Sequence, residues 1–219
     1  MKHILTSFLL GLALLSPAAY AQATKQTVLV ELFASQNCPA CPRAHRTMRE
    51  IAAEKPEALI LTWSVNYWDY LGNPDPMALP EAKLRQAAYA ENLGLRAPYT
   101  PQSIYNGTKE CPGTRKRAVR KNIKTLTSNA PAGIQLSYAE NTVELAPNAI
   151  DGPLQISLIE FLDDSEHDTG MVNPVTAFTP LDAWSGEAKR LDDVTCTNNC
   201  AILVHRPNSG TILSFLLLK

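Results

Sequence analysis

The sequence predicts an α/β protein, a βαβαββα unit followed by a mostly antiparallel β C-terminal region. Three observations carry this reading. The first half alternates between strand-like and helix-like hydrophobic periods, an Asn106-Gly107 pair marks a hairpin within it, and beyond about residue 131 the helical spacing gives way to short strand-like runs. The chain has 219 residues, 45% hydrophobic and 19% charged, the composition of an ordinary soluble globular protein.

Residues 28–33 form a short β-rich run. Ala44, Met48, Ile51 and Ala52 then recur at helical spacing, with Arg43, Arg46, Arg49 and Glu50 between them and Pro42 suited to a first helical turn. Residues 58–65 read as a second strand, leading into the aromatic segment 66–72, which reads as a packed loop. Residues 80–93 are helical in composition, with Gly94 placed to cap them. Both positions of Asn106-Gly107 tolerate positive φ, so two short strands flank that turn, the first starting just after Thr100-Pro101. A last helix, with Thr114 as its expected cap, turns Val119, Ile123 and Leu126 inward and leaves Arg115, Lys116, Arg117, Arg120, Lys121 and Lys124 as its wet face. Residues 133–139, 142–146, 154–161, 201–205 and 211–217 read as strands, the last two joined by the turn-rich loop 206–210. No repeat or low-complexity segment interrupts this order.

Residues 1–21 have the form of a cleaved signal peptide. Lys2 and His3 precede an apolar stretch that ends in Ser16-Pro17 and Ala19-Tyr20-Ala21, too short for the roughly 20 residues that span a bilayer. A periplasmic or secreted location is therefore expected, with no stable membrane insertion after cleavage and with disulfides permitted among the five cysteines. The formal net charge of −1 provides no global field for nucleic acid, so no nucleic-acid partner is expected.

Chemistry concentrates at Cys38-Pro39-Ala40-Cys41, directly after the first strand. A C-x-x-C pair at a strand-to-helix junction sets two sulfurs within bonding distance and aims the first at the free N–H groups of the helix start, which favours its thiolate. Zinc sites share the spacing but need a second pair of ligands. Cys38 is thus the expected attacking thiol and Cys41 the resolving one; a structural disulfide is the plainer alternative. The direction of electron flow stays open.

This order of elements, with C-x-x-C after the first strand and an X-Pro before the hairpin, resembles the thioredoxin fold. In that superfamily the X-Pro bond is cis and lies against the cysteine pair, which implies a catalytic-site role for Pro101 and substrate contacts at Tyr99 and Thr100. The resemblance also implies that Glu31, one residue further from Cys38 than thioredoxin's buried acid is from its first cysteine, takes the proton from Cys41. More narrowly, residues 30–42, 66–72, 85–90 and 99–102 resemble a bacterial family of secreted, thioredoxin-like proteins catalogued as domain of unknown function 1223. Departures are Asn66, where the family usually has Asp, and Asn73, where it has Trp.

The function expected is that of an exported thiol-disulfide oxidoreductase acting on protein or small thiols, with a redox partner protein and without a cofactor or metal. The competing reading is a non-catalytic binding module for a peptide or Cu(I). The residues divide into a leader, 1–21, a thioredoxin-like domain, 22–130, and a β-rich region, 131–219. Trp68, with Trp63, Tyr67 and Tyr70, is a candidate for a substrate groove. Cys111, Cys196 and Cys200 leave several pairings open, of which Cys196 with Cys200 is favoured and is structural. His45, one turn past Cys41, would complete a Cu(I) site with the two cysteines but is expected at the surface. The acidic run 163–168 reads as a turn rather than a calcium loop.

Overall fold

The computed structural model describes residues 27–128, 133–163 and 168–218. The expected leader, the expected boundary at residue 130 and residues 164–167 of the acidic run lie outside them.

The first half follows the expected order: β1 (Val28–Ala34), α1 (Cys41–Glu54), β2 (Ala58–Ser64), α2 (Pro80–Asn92), β3 (Gln102–Tyr105), β4 (Lys109–Pro112) and α3 (Lys116–Ser128). One sheet takes the order β2-β1-β3-β4. β1 runs parallel to β2, the pairing a helical crossover allows, and antiparallel to β3. Every residue of β1, β2 and β3 is buried, because both faces of the sheet are covered. On one face Val28, Val30, Leu32 and Ala34 pack with Ala44, Met48 and Ile51 of α1 and with Val119 and Ile123 of α3. On the other, Leu29, Phe33, Leu59, Leu61 and Trp63 pack with Ala82 and Tyr89 of α2.

The β3–β4 hairpin turns at Asn106 and Gly107, with φ of 45° and 68°, as the pair predicts. α2 is capped at its C-terminus by Leu93, followed by Gly94 at φ 64°. The start of α3 differs from expectation. Arg115, not Thr114, precedes the helix, and its carbonyl accepts from the N–H groups of Ala118 and Val119.

The second half contains β5 (Leu136–Ala139), β6 (Thr142–Leu145), β7 (Leu154–Phe161), β8 (Val175–Trp184), β9 (Lys189–Leu191), β10 (Asn199–His205) and β11 (Ile212–Leu218). They form two antiparallel sheets, ordered β11-β10-β7-β8 and β5-β6-β9. β8 and β9 were not expected. β8 carries Pro180, which lacks a ladder donor; the strand runs at the sheet edge and shifts register between Asp182 and Pro180, which tolerates the proline.

The larger of these sheets shares the second core. Ile159, Phe161, Ala201 and Leu203 join Leu29, Phe33, Leu61 and Trp63 in one buried cluster. Backbone ties reinforce the contact: Thr62 N–H donates to Asn173 O (3.1 Å) and Ile212 N–H to Asn106 O (3.0 Å). Cys196 and Cys200 close their short loop as a disulfide with Cα atoms 6.0 Å apart, and Cys111 is the buried free thiol. No helix among the described residues is long and apolar enough to cross a membrane.

Candidate functional site

β1 ends at Ala34, and the chain leaves the sheet through two tight turns. Cys38 N–H donates to Ser35 O (3.2 Å), and Cys41 N–H to Cys38 O (3.1 Å), which starts α1. Pro42 stands in the first turn, and that turn carries neither an acidic residue nor a side-chain cap. The positive end of the helix dipole is left to the cysteine loop. Cys38 and Cys41 form a disulfide with Cα atoms 5.4 Å apart. Cys38 is 2% exposed and Cys41 is fully covered, while the intervening Pro39 and Ala40 are exposed.

The loop between β2 and α2 clamps this turn. Asp75 accepts from Gln36 N–H (2.7 Å) and Met77 N–H (2.9 Å), and Asp69 accepts from Asp75 N–H (3.1 Å) and Asn37 Nδ2 (3.3 Å). Asn37 Nδ2 also donates to Asn73 O (2.8 Å). Neither acid was singled out from the sequence. The signal was the Asn-Pro-Asp-Pro run, where a carboxylate commonly caps its own turn.

Trp68 packs against the cluster that holds both cysteines, and its Nε1 donates to Thr100 Oγ1 (2.7 Å). Trp63 is core, whereas Tyr70, stacked on Trp68 with centroids 6.2 Å apart, is 77% exposed. The Thr100-Pro101 bond is cis. Phe33 pairs with Gln102, so Thr100 and Pro101 lie at the end of the sheet from which the Cys38 loop departs. Among the described residues no backbone hydrogen bond engages the Thr100 N–H or carbonyl. Tyr99 donates its hydroxyl to Glu110, and its carbonyl accepts from Gln86 Nε2 (2.8 Å). Burial, reinforced by Glu110, pushes the Tyr99 phenol up.

The structure therefore brings Cys38, Cys41, Trp68, Thr100 and Pro101 to one end of one sheet and leaves Glu31 out. Glu31 lies between Leu29 and Phe33, which face the second core, whereas Val30, Leu32 and Ala34 face the cysteines. With a period of two, a one-residue offset turns a strand side chain to the opposite face. Glu31 instead accepts from Arg85 Nε (2.6 Å) and Nη2 (3.2 Å) and from the Tyr89 hydroxyl. Arg85 sits over Trp63, Tyr89 and Phe178 at 5.3, 5.2 and 5.3 Å from the ring centroids. The proton-acceptor role expected of Glu31 is corrected on this ground: its carboxylate belongs to a buried ion pair with α2 on the face of the sheet opposite the cysteines.

His45 also departs from expectation. It is 9% exposed rather than solvated, and its Nδ1 has no hydrogen-bond partner among the described residues. Burial, with Arg49 adding and Asp75 opposing, lowers its pKa to about 4. Among the described residues no three His, Cys, Asp or Glu side chains converge as a metal site requires.

The sequence from residue 29 to 167 matches the family described as "Protein of unknown function (DUF1223)". The chain belongs to this family. No curated protein matches the chain. A crystal structure from a structural genomics consortium, of a protein from Agrobacterium tumefaciens, superposes on this DUF1223 chain with a TM-score of 0.71 at 25% identity, covering 89% of this chain and 94% of that one.

Proposed function

We propose that this DUF1223 protein is an exported thiol-disulfide oxidoreductase with a thioredoxin-like first half, acting on protein or small thiols through Cys38 and Cys41. The observation that carries this reading is the Cys38–Cys41 disulfide at the uncapped start of α1, at the same sheet end as Thr100 and Pro101. The helix terminus stabilises a thiolate there, and Cys38 is the less covered of the two residues. A substrate thiolate attacks Cys38 Sγ, the Cys38–Cys41 bond breaks and Cys41 leaves as thiolate. A second substrate thiol, deprotonated, then attacks the substrate sulfur of the mixed disulfide and releases Cys38. Two electrons pass to the cysteine pair and two protons to solvent; run backwards, the same steps reduce a substrate disulfide.

In this reading residues 1–21 direct export and are removed, residues 22–130 form the redox unit and residues 131–219 support it. Thr100 offers its backbone to an extended substrate, with Trp68 holding the Thr100 side chain. No cofactor enters the exchange. The test is the Cys41→Ser protein, isolated from its export compartment: it should carry mixed disulfides on Cys38, detected by mass spectrometry and released by reductant. Absence of adducts would remove the assignment of Cys38 as the attacking thiol.

Burial of both sulfurs favours a second reading, a non-catalytic module with a structural disulfide. A reduction potential below about −300 mV, with no turnover of a dithiol, would favour it.

A further inference from the structure

A basic groove of about 750 Å³ lies between α1 and the start of α3, lined by Arg43 of α1 and by residues 114–118 and Lys121. Arg43 is two residues past Cys41. The approach of the opposite wall is fixed by Gly113: its N–H donates to Pro101 O (2.9 Å), and a Cβ built there would lie 3.3 Å from Ala44 Cβ. The segment that follows β4 is thereby held against the first turns of α1, and Arg43, in the first of those turns, is the lining residue nearest in the chain to the cysteine pair.

The charge of this groove is unbalanced. Lys116 is neutralised by Glu50 and Glu54 of α1, and Arg120 by Glu54 (2.6 Å). Arg43, Arg115, Arg117 and Lys121 are exposed and make no ion pair among the described residues. No acidic side chain is among the groove's lining residues: Asp69 and Asp75 accept from the backbone of the cysteine clamp and Glu110 from Tyr99. In a chain of net charge −1, this is a local positive field on one side of the cysteine pair. Arginine forks match carboxylates in bidentate geometry, and three arginines line this one groove.

We propose that the groove selects acidic polypeptide segments, so that the preferred substrates of the Cys38–Cys41 pair are cysteines flanked by Asp or Glu; this rests on the redox reading above for the exchange step, and on the groove alone for binding. The oxidised protein is mixed with reduced two-cysteine peptides flanked by either Glu or Ser, and with dithiothreitol. The acidic peptide should be oxidised about tenfold faster at low ionic strength, a ratio that shrinks as salt rises. Arg115→Glu with Arg117→Glu should bring that ratio to one or below, whereas Lys124→Glu on the same helix but outside the groove should leave it in place. Equal rates for the two peptides, with dithiothreitol oxidised, would overturn the inference and leave the redox reading standing. Failure to oxidise dithiothreitol or either peptide would overturn the redox reading. The groove is tested independently by anisotropy with a labelled acidic peptide carrying Ser for Cys: saturable binding weakened at least tenfold in the double variant supports it, and no binding overturns it. Displacement by inorganic phosphate at the concentration of the peptide itself would make this a simple anion site and overturn the peptide assignment.

Discussion

A neutral imidazole one turn beyond Cys41 ties the stability of the site's helix to pH. His45 titrates near 4 in the folded chain, against an ordinary value near 6.5, because burial disfavours its charged form. The unfolded chain therefore binds the extra proton first as pH falls. Stability is full above pH 6.5 and declines through the interval down to about 4, by about 3 kcal/mol for this residue alone. His205, buried and also shifted down, adds in the same direction. Urea unfolding followed by tryptophan fluorescence should give the native chain a steeper loss of stability between pH 7 and pH 4 than His45→Gln; equal slopes would mean that His45 takes up its proton at the same pH in the folded and unfolded chain. The Cys38–Cys41 pair and the Thr100-Pro101 position were legible in the sequence because each needs a particular residue type at a particular junction. The environment of His45 was not, since its place on the covered side of α1 depends on the loop carrying Asp75, far from it in the chain.

At the scale of elements, the Glu31–Arg85 pair joins the central strand to α2 and, through Phe178, to β8. Arg85 and Glu31 are both almost wholly covered. Removing one partner leaves a buried charge alone, at a cost of about 3 to 5 kcal/mol, whereas replacing both with apolar side chains of similar size is often close to neutral. Arg85→Met should therefore lower stability by several kcal/mol, and adding Glu31→Leu should recover most of it, as read by chemical denaturation of the two single variants and the double. Additive losses would show that Arg85 acts through its ring contacts instead. The same pair explains why the strand and helix order was readable while the face of Glu31 was not. Period and turn residues locate β1 and α2, but a carboxylate in a fully buried strand has no amphipathic alternation around it to say which face it takes. β8 was hidden by Pro180, whose missing N–H argues against a strand unless the strand lies at an edge. The start of α3 moved by one residue because Arg115, with no capping side chain, supplies the first accepting carbonyl where Thr114 had the favoured chemistry.

Across the whole molecule, the first sheet has its two faces covered by different halves of the chain. α1 and α3 cover the cysteine side; α2 covers only part of the other, and Ile159, Phe161, Ala201 and Leu203 complete it over Leu29, Phe33, Leu61 and Trp63. Each large apolar side chain on that face contributes roughly 1.5 to 3 kcal/mol when buried, so uncovering three or four of them removes an amount comparable to the 5 to 15 kcal/mol that holds a typical domain together. The hairpin tip is similarly shared, since a Cβ on Gly107 would fall 2.5 Å from Gly210 O, and Ile212 N–H donates to Asn106 O at 3.0 Å. A fragment of residues 22–130 should therefore fail to fold cooperatively, even though it contains every element from β1 to α3. The expected result is broad, non-cooperative urea unfolding with dye-accessible apolar surface, where residues 22–219 give a single sharp transition. A sharp transition in the fragment at a denaturant midpoint near that of the longer chain would mean that α2 alone seals the sheet and that the β-rich half is an accessory to the fold.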